Sequence, residues 1–86
     1  MRSLLTFKIW KEGKYCIAYN PEFDIASQGK NFEQAEKKLG EAIELFVYTA
    51  KKIGTLKEIL QESGFIQKNK AWFPPKILIS PVELKV

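Results

Sequence analysis

Gln28-Gly29-Lys30-Asn31-Phe32-Glu33-Gln34-Ala35 is the stretch on which the fold of this chain turns. Gly29 permits a sharp reversal, and Asn31 is placed to cap a helix. Gln34, three residues later, completes a capping box. The helix launched there runs from Phe32 to about Ile53. Phe32, Ala35, Leu39, Ala42, Phe46, Ala50 and Ile53 recur at the three-and-four spacing of one helical face, with Ile43 at its edge. Small Ala35 and Ala42 allow a sheet to approach this face closely. Lys37, Glu41, Glu44, Lys51 and Lys52 fall on the far side and Gly40 weakens the middle. Leu45, Val47 and Tyr48 break the pattern by widening the apolar surface, so a following helix or another chain must cover them; they are the candidate oligomer interface.

Upstream, residues 4 to 10 alternate, with Leu5, Phe7 and Ile9 opposite Leu4, Thr6, Lys8 and Trp10. This is the period-two pattern of a half-buried strand. Lys11-Glu12-Gly13-Lys14 supplies a tight turn into a second strand, Tyr15 to Asn20, in which Tyr15, Ile17 and Tyr19 face opposite to Cys16 and Ala18. Asn20-Pro21-Glu22 breaks that strand, and a third, Phe23 to Ser27, completes an antiparallel meander. Downstream, Gly54 stops the long helix. Thr55 and Glu58 form a second capping box for a short helix through Ser63, which Gly64 terminates with Phe65 packing back on Leu60. Residues 66 to 76 are irregular, and Ile77 to Val86 reads as a last strand, with Leu78, Val82, Leu84 and Val86 on one side and Pro81 confining it to an edge or splitting it in two. The expectation is a single α+β domain over residues 1–86, in the order β-β-β-α-α-β.

Composition narrows the chemistry. Eighty-six residues support one helix-on-sheet layer pair, and no segment has the roughly 18 to 20 continuous apolar residues of a membrane span. Met1-Arg2-Ser3-Leu4-Leu5 opens without an apolar signal region, and the lone Cys16 reads as a small buried hydrophobe; both fit a cytoplasmic protein. Fourteen basic residues against ten acidic give a formal charge of +4, with the lysines scattered rather than clustered. With no histidine and Asp24 as the one aspartate, a metal cluster or a histidine base has no raw material. Glu22 and Asp24 are a close carboxylate pair beside a turn, which is read as surface charge. The chain is therefore expected to be neither an enzyme nor a holder of a metal or cofactor. Trp10, Tyr15, Tyr19, Trp72 and Phe73, with lysines among them, leave open a small RNA-binding module that stacks bases on this surface.

From Tyr15 to Ala35 the chain resembles the HicB-type antitoxins. The likeness is an aromatic-rich strand, a proline turn, a short strand ending in Gln28-Gly29, a polar cap at Asn31 and a helix with Ala35 in its first turn. Glu41-Ala42 resembles a recurrent pair of that family's helix, and Thr55-Leu56-Lys57-Glu58-Ile59-Leu60 with Gly64-Phe65 is similar to the tail of its short members, so residues 3 to 65 are covered. The resemblance implies a partial ribonuclease-H-like fold without catalytic carboxylates. It implies a protein, commonly oligomeric, that binds and masks a small mRNA-cleaving toxin of the HicA type. The basic charge departs from the acidic balance of many such antitoxins, and no DNA-binding appendage follows residue 65. On this reading Trp10 and Tyr19 supply apolar contact to the toxin, and Glu22 and Asp24 pair with its basic surface.

Overall fold

The structure is a computed structural model that describes residues 4–85; Met1, Arg2, Ser3 and Val86, the last expected to end a strand, lie outside the described residues. A three-stranded antiparallel sheet is built from β1 (Lys8–Glu12), β2 (Tyr15–Asn20) and β3 (Ile25–Gly29), in that spatial order. Helix α1 (Phe32–Ile53) lies across one face, followed by α2 (Leu56–Glu62) and a separate two-stranded ribbon, β4 (Ile66–Lys68) and β5 (Ala71–Phe73). The expected α+β class and the order of meander, long helix and short helix are present.

The first hairpin has a two-residue loop, Gly13-Lys14, with Gly13 at φ +61°, the left-handed geometry that glycine adopts without strain. β1 begins at Lys8 rather than at residue 4, and the register explains why. Continuing the pairing of Lys8 with Tyr19 would set Thr6 opposite Pro21, which has no N–H to donate. Side chains take over the ladder there. Asn20 Nδ2 donates to the Thr6 carbonyl (3.0 Å), and the Thr6 N–H donates to the Glu22 carboxylate (3.0 and 3.2 Å). Leu5 and Phe7 still reach the core, held by this clamp.

Asn31 caps α1, its Oδ1 accepting from the Gln34 N–H at 2.7 Å. Gln34 reaches back one residue further than a capping box requires, its Oε1 accepting from the Lys30 N–H at 2.6 Å. Gly29 has a different role from the expected reversal: a Cβ there would stand 2.5 Å from the Ala35 nitrogen and 2.9 Å from the Gln34 carbonyl carbon. The end of β3 and the first turn of α1 are thus in backbone contact. At the other end Gly54 sits at φ +80°, and the Thr55 N–H donates to the Ala50 carbonyl at 2.9 Å, a Schellman stop. Thr55 makes no side-chain cap, contrary to the expected second capping box.

The core joins Cys16 and Ala18 of β2 to Ala35, Leu39 and Ile43 of α1. A second cluster stacks Phe23 on Phe65 (centroids 5.5 Å apart) and tilts it against Phe46 (5.4 Å), tying the β2–β3 loop to both helices. The buried face of α1 is rotated from the expected arc: Ile43 is central and Val47 packs against the core, whereas Phe32 and Ile53 are exposed.

The last strand is a correction. Residues 77–85 form no ladder, and the terminal β element is the ribbon instead, turned by Asn69 and Lys70, both in the left-handed region (φ 50° and 68°). Both loop residues having positive φ marks a type I′ turn, which asparagine signals and lysine conceals. Beyond the ribbon, Pro75 still lies against Gly64, the residue opposite it in the continued register.

The two mid-chain glycines are expected to respond to alanine with opposite signs. Gly29→Ala forces the helix start off the strand and costs on the order of 1–3 kcal/mol. Gly40→Ala has open space around its Cβ and gains up to about 1 kcal/mol of helix propensity. Urea denaturation of both variants checks the pair.

Candidate functional site

Residues directly opposite in an antiparallel pair share a face, so the register alone builds the surface that α1 leaves bare. On β1 these are Lys8, Trp10 and Glu12, opposite Tyr19, Ile17 and Tyr15 of β2; Ala26 and Gln28 of β3 continue the rows. An apolar block of Trp10, Tyr15, Ile17 and Tyr19 is therefore flanked by Lys8 at one end and Glu12 at the other. Trp10 and Tyr15 are 42% and 48% exposed, and Ile17 and Tyr19 are half-buried by their neighbours. Antiparallel sheets commonly turn one face to water, but such a face then alternates to polar residues. This one does not.

The end of the face near the β2–β3 loop carries its polar chemistry. The Tyr19 hydroxyl donates to Asp24 Oδ1 at 2.8 Å, and Lys8 Nζ stands 6.0 Å from the centre of the Tyr19 ring. Asp24 is held in place by a left-handed backbone (φ 57°), which aspartate tolerates better than most residues. The hydrogen bond to the Asp24 carboxylate, with a smaller contribution from burial, holds the Tyr19 hydroxyl above its ordinary pKa of 10.0.

Of the four expected contact residues, three meet here: Trp10, Tyr19 and Asp24. Glu22 does not. Its side chain is 7% exposed and turned inward, where the carboxylate accepts from the Thr6 N–H and from Asn20 Nδ2 (2.5 Å). Asn20, wholly buried, also accepts the Phe23 N–H on Oδ1 at 2.9 Å. Glu22 is thus a brace for the chain entry into β1, and Glu22 with Asp24 is not a surface pair. Tyr15 and Ile17 join the site; their alternation with Tyr19 was the signal, and only the pairing with Trp10 shows that they form one patch.

The expected oligomer interface divides as well. Leu45 and Tyr48 are 65% and 61% exposed, with Lys52 Nζ 5.8 Å from the centre of the Tyr48 ring. Val47 is turned into the core and is withdrawn from that set. Leu45 borders a different feature, an open apolar groove of about 470 Å3 lined by Ile25, Ala42, Leu45, Thr49, Ile53 and Ile59 among others. Among the described residues no group of histidine, cysteine or carboxylate side chains is placed to hold a metal ion. No helix of the described residues is long and apolar enough to cross a membrane. Comparison with family models, with curated proteins and with solved structures finds no match.

Two outcomes follow from this geometry. Removing the Glu22 carboxylate strands the Thr6 N–H and one Asn20 proton, so Glu22→Ala is expected to cost about 1–3 kcal/mol in urea denaturation. Faster amide exchange at residues 5 to 7 would accompany it. A raised pKa means that Tyr19 favours the folded state at pH values below 10, and that this contribution fades as pH rises through the raised value. Absorbance titration at alkaline pH should therefore show one tyrosine above the ordinary midpoint, which Asp24→Ala returns toward it and Tyr19→Phe removes.

Proposed function

We propose that this chain is a HicB-like antitoxin-type protein of the cytoplasm, which binds and masks a small HicA-type mRNA-cleaving toxin, has no catalysis of its own and works as a homo-oligomer. The observation that carries the reading is the bare sheet face, where Trp10, Tyr15, Ile17 and Tyr19 form one patch with Asp24 at its end. Buried tryptophan and tyrosine anchors dominate the energetics of protein interfaces, and their rigid rings lose little entropy on docking. The Tyr19–Asp24 pair presents an oriented acceptor to a basic partner, which is the electrostatic sign a ribonuclease surface offers. The meander and the capped helix are the architecture that the Tyr15–Ala35 likeness implies, and they support the assignment at the level of fold.

One observation favours a second reading, a small RNA-binding module. Lys8 lies near the Tyr19 ring, and aromatic faces beside lysines make a stacking platform for bases. The two readings use the same face and differ in salt dependence. Phosphate contacts lose affinity steeply as salt rises, whereas an apolar protein interface does not.

Truncating the central anchor separates fold from function. Trp10→Ala is expected to weaken a complex with the cognate toxin by about 2 kcal/mol, roughly 30-fold in Kd, and to restore mRNA cleavage in a co-expression assay. Its circular dichroism should match that of the parent chain. Absence of any stoichiometric complex with small ribonucleases encoded beside this chain, together with salt-sensitive RNA binding that Trp10→Ala abolishes, would turn the assignment to the second reading.

A further inference from the structure

Helix α1 does not sit over the middle of the sheet. Its most extensive contact is with β3, an edge strand, less with central β2 and least with β1. One flank of the helix therefore overhangs the sheet, and that flank is apolar: Ala42, Leu45, Thr49 and Ile53 form the helix wall of the groove, with Ile25 of β3 and Ile59 of α2 as its other sides. Leu45 and Ile53 are 65% and 67% exposed. Among the described residues the adjoining edge of β3 has no ladder partner. What is missing in shape is one more strand beside β3, whose inward side chains would lie against the overhanging flank and whose backbone would satisfy the open edge.

The chain carries a segment of that description. Residues 76–85, Lys-Ile-Leu-Ile-Ser-Pro-Val-Glu-Leu-Lys, place Leu78, Val82 and Leu84 on one side of an extended strand, with Ser80 between them. Leu78, Ile79, Val82 and Leu84 are 89%, 63%, 87% and 82% exposed, so the segment has the side chains of a strand and no sheet to join. Pro81 removes one N–H from the odd-numbered side of the backbone. A strand that pairs through its even-numbered residues at a sheet edge loses nothing by it. None of residues 76–85 lines the groove of its own chain. Pro75 is seated against Gly64 at the stop of α2, its Cβ 3.3 Å from where a Gly64 Cβ would stand, and residues 76–85 extend from that point. The radius of gyration is 14.9 Å, with a long axis of 44 Å, against about 12 Å for a compact chain of this length.

We propose that residues 76–85 form an exchanged arm: the arm of one copy adds as a fourth strand to the β3 edge of a second copy, filling its groove, and the second copy returns the same contact. The exchange is two-fold symmetric, each groove and each arm being used once, so it closes at a dimer. It also covers both an open edge and an exposed apolar segment, which otherwise invite aggregation. The inference deepens the self-association part of the proposed function and is independent of the toxin; the bare face of Trp10 and Tyr19 lies on the opposite side of the sheet from α1 and stays free.

The test is the solution mass of the full chain and of two variants by light scattering, with a cross-link to identify the donor. The full chain should have twice the monomer mass at micromolar concentration. A chain ending at Pro75, and separately Leu78→Asp in the full chain, should halve that mass while keeping the helical circular dichroism. Val82→Cys chains mixed with Thr49→Cys chains should form an intermolecular disulfide, and a chain carrying both substitutions should form mostly cross-linked dimers. A monomeric full chain overturns the proposal, as does a doubly substituted chain that closes its disulfide within one molecule. A dimer that survives loss of residues 76–86 also overturns it, while leaving self-association through Leu45 and Tyr48 standing. Toxin binding by the truncated chain distinguishes failure of the arm from failure of the antitoxin reading.

Discussion

Backbone contact between Gly29 and the first turn of α1 is the constraint on which the rest of the molecule depends. A side chain at position 29 would collide with the Ala35 nitrogen, so strand and helix meet with no spacer between them. Asn31 and Gln34 then fix the direction in which the helix leaves, one satisfying an N–H inside the first turn and the other an N–H before it. From that origin Ala35 and Leu39 fall directly onto Cys16 and Ala18, and small residues on both sides keep the layers close. The same origin has a geometric result: a helix that starts where the edge strand ends stays near that edge. The overhanging flank of α1 and the uncovered outer face of the sheet are both consequences of where the helix is anchored.

A second constraint acts at the opposite end of the sheet. Pro21 cannot continue the ladder, and the protein replaces the lost hydrogen bonds with an amide and a carboxylate from the two residues that flank it. Burying a carboxylate is costly unless its oxygens are occupied. Here one side chain meets the Thr6 N–H and the Asn20 amide together, and among the described residues no buried side-chain nitrogen or oxygen lacks a partner. Leu5 and Phe7 are thereby held over the core without belonging to a strand.

Local signals carried most of the architecture. The turn at Gly13, the cap at Asn31 and the stops at Gly54 and Gly64 each depend on neighbouring residues, and elements bounded by such signals appear where periodicity placed them. Long-range facts were hidden. That Thr6 faces Pro21 is a property of register, so the ladder's late start and the inward turn of Glu22 could not be read from alternation alone. The helix face was found but rotated, because Ile43 and Val47 become central only when the anchor at Gly29 sets the angle. The tail shows the same limit: Leu78, Val82 and Leu84 have strand periodicity, yet a strand needs a neighbour, and period says nothing about whether one is within reach. Of the site, Trp10, Tyr19 and Asp24 were legible from residue type, while their union with Tyr15 and Ile17 required the pairing of β1 with β2.

Cys16 is the chain's single cysteine, and it lies 6% exposed between the central strand and α1. Most of its surface is covered, and the remainder lies at a pocket it lines with Lys11, Asn31 and Phe32. Its reaction with a thiol reagent therefore speeds up when helix and sheet separate and so follows the opening of that interface. The protein thus contains a built-in clock for its own breathing, set at the seam that Gly29 closes. Anything that tightens the seam, whether an added strand or a docked partner, would slow the clock without touching the thiol.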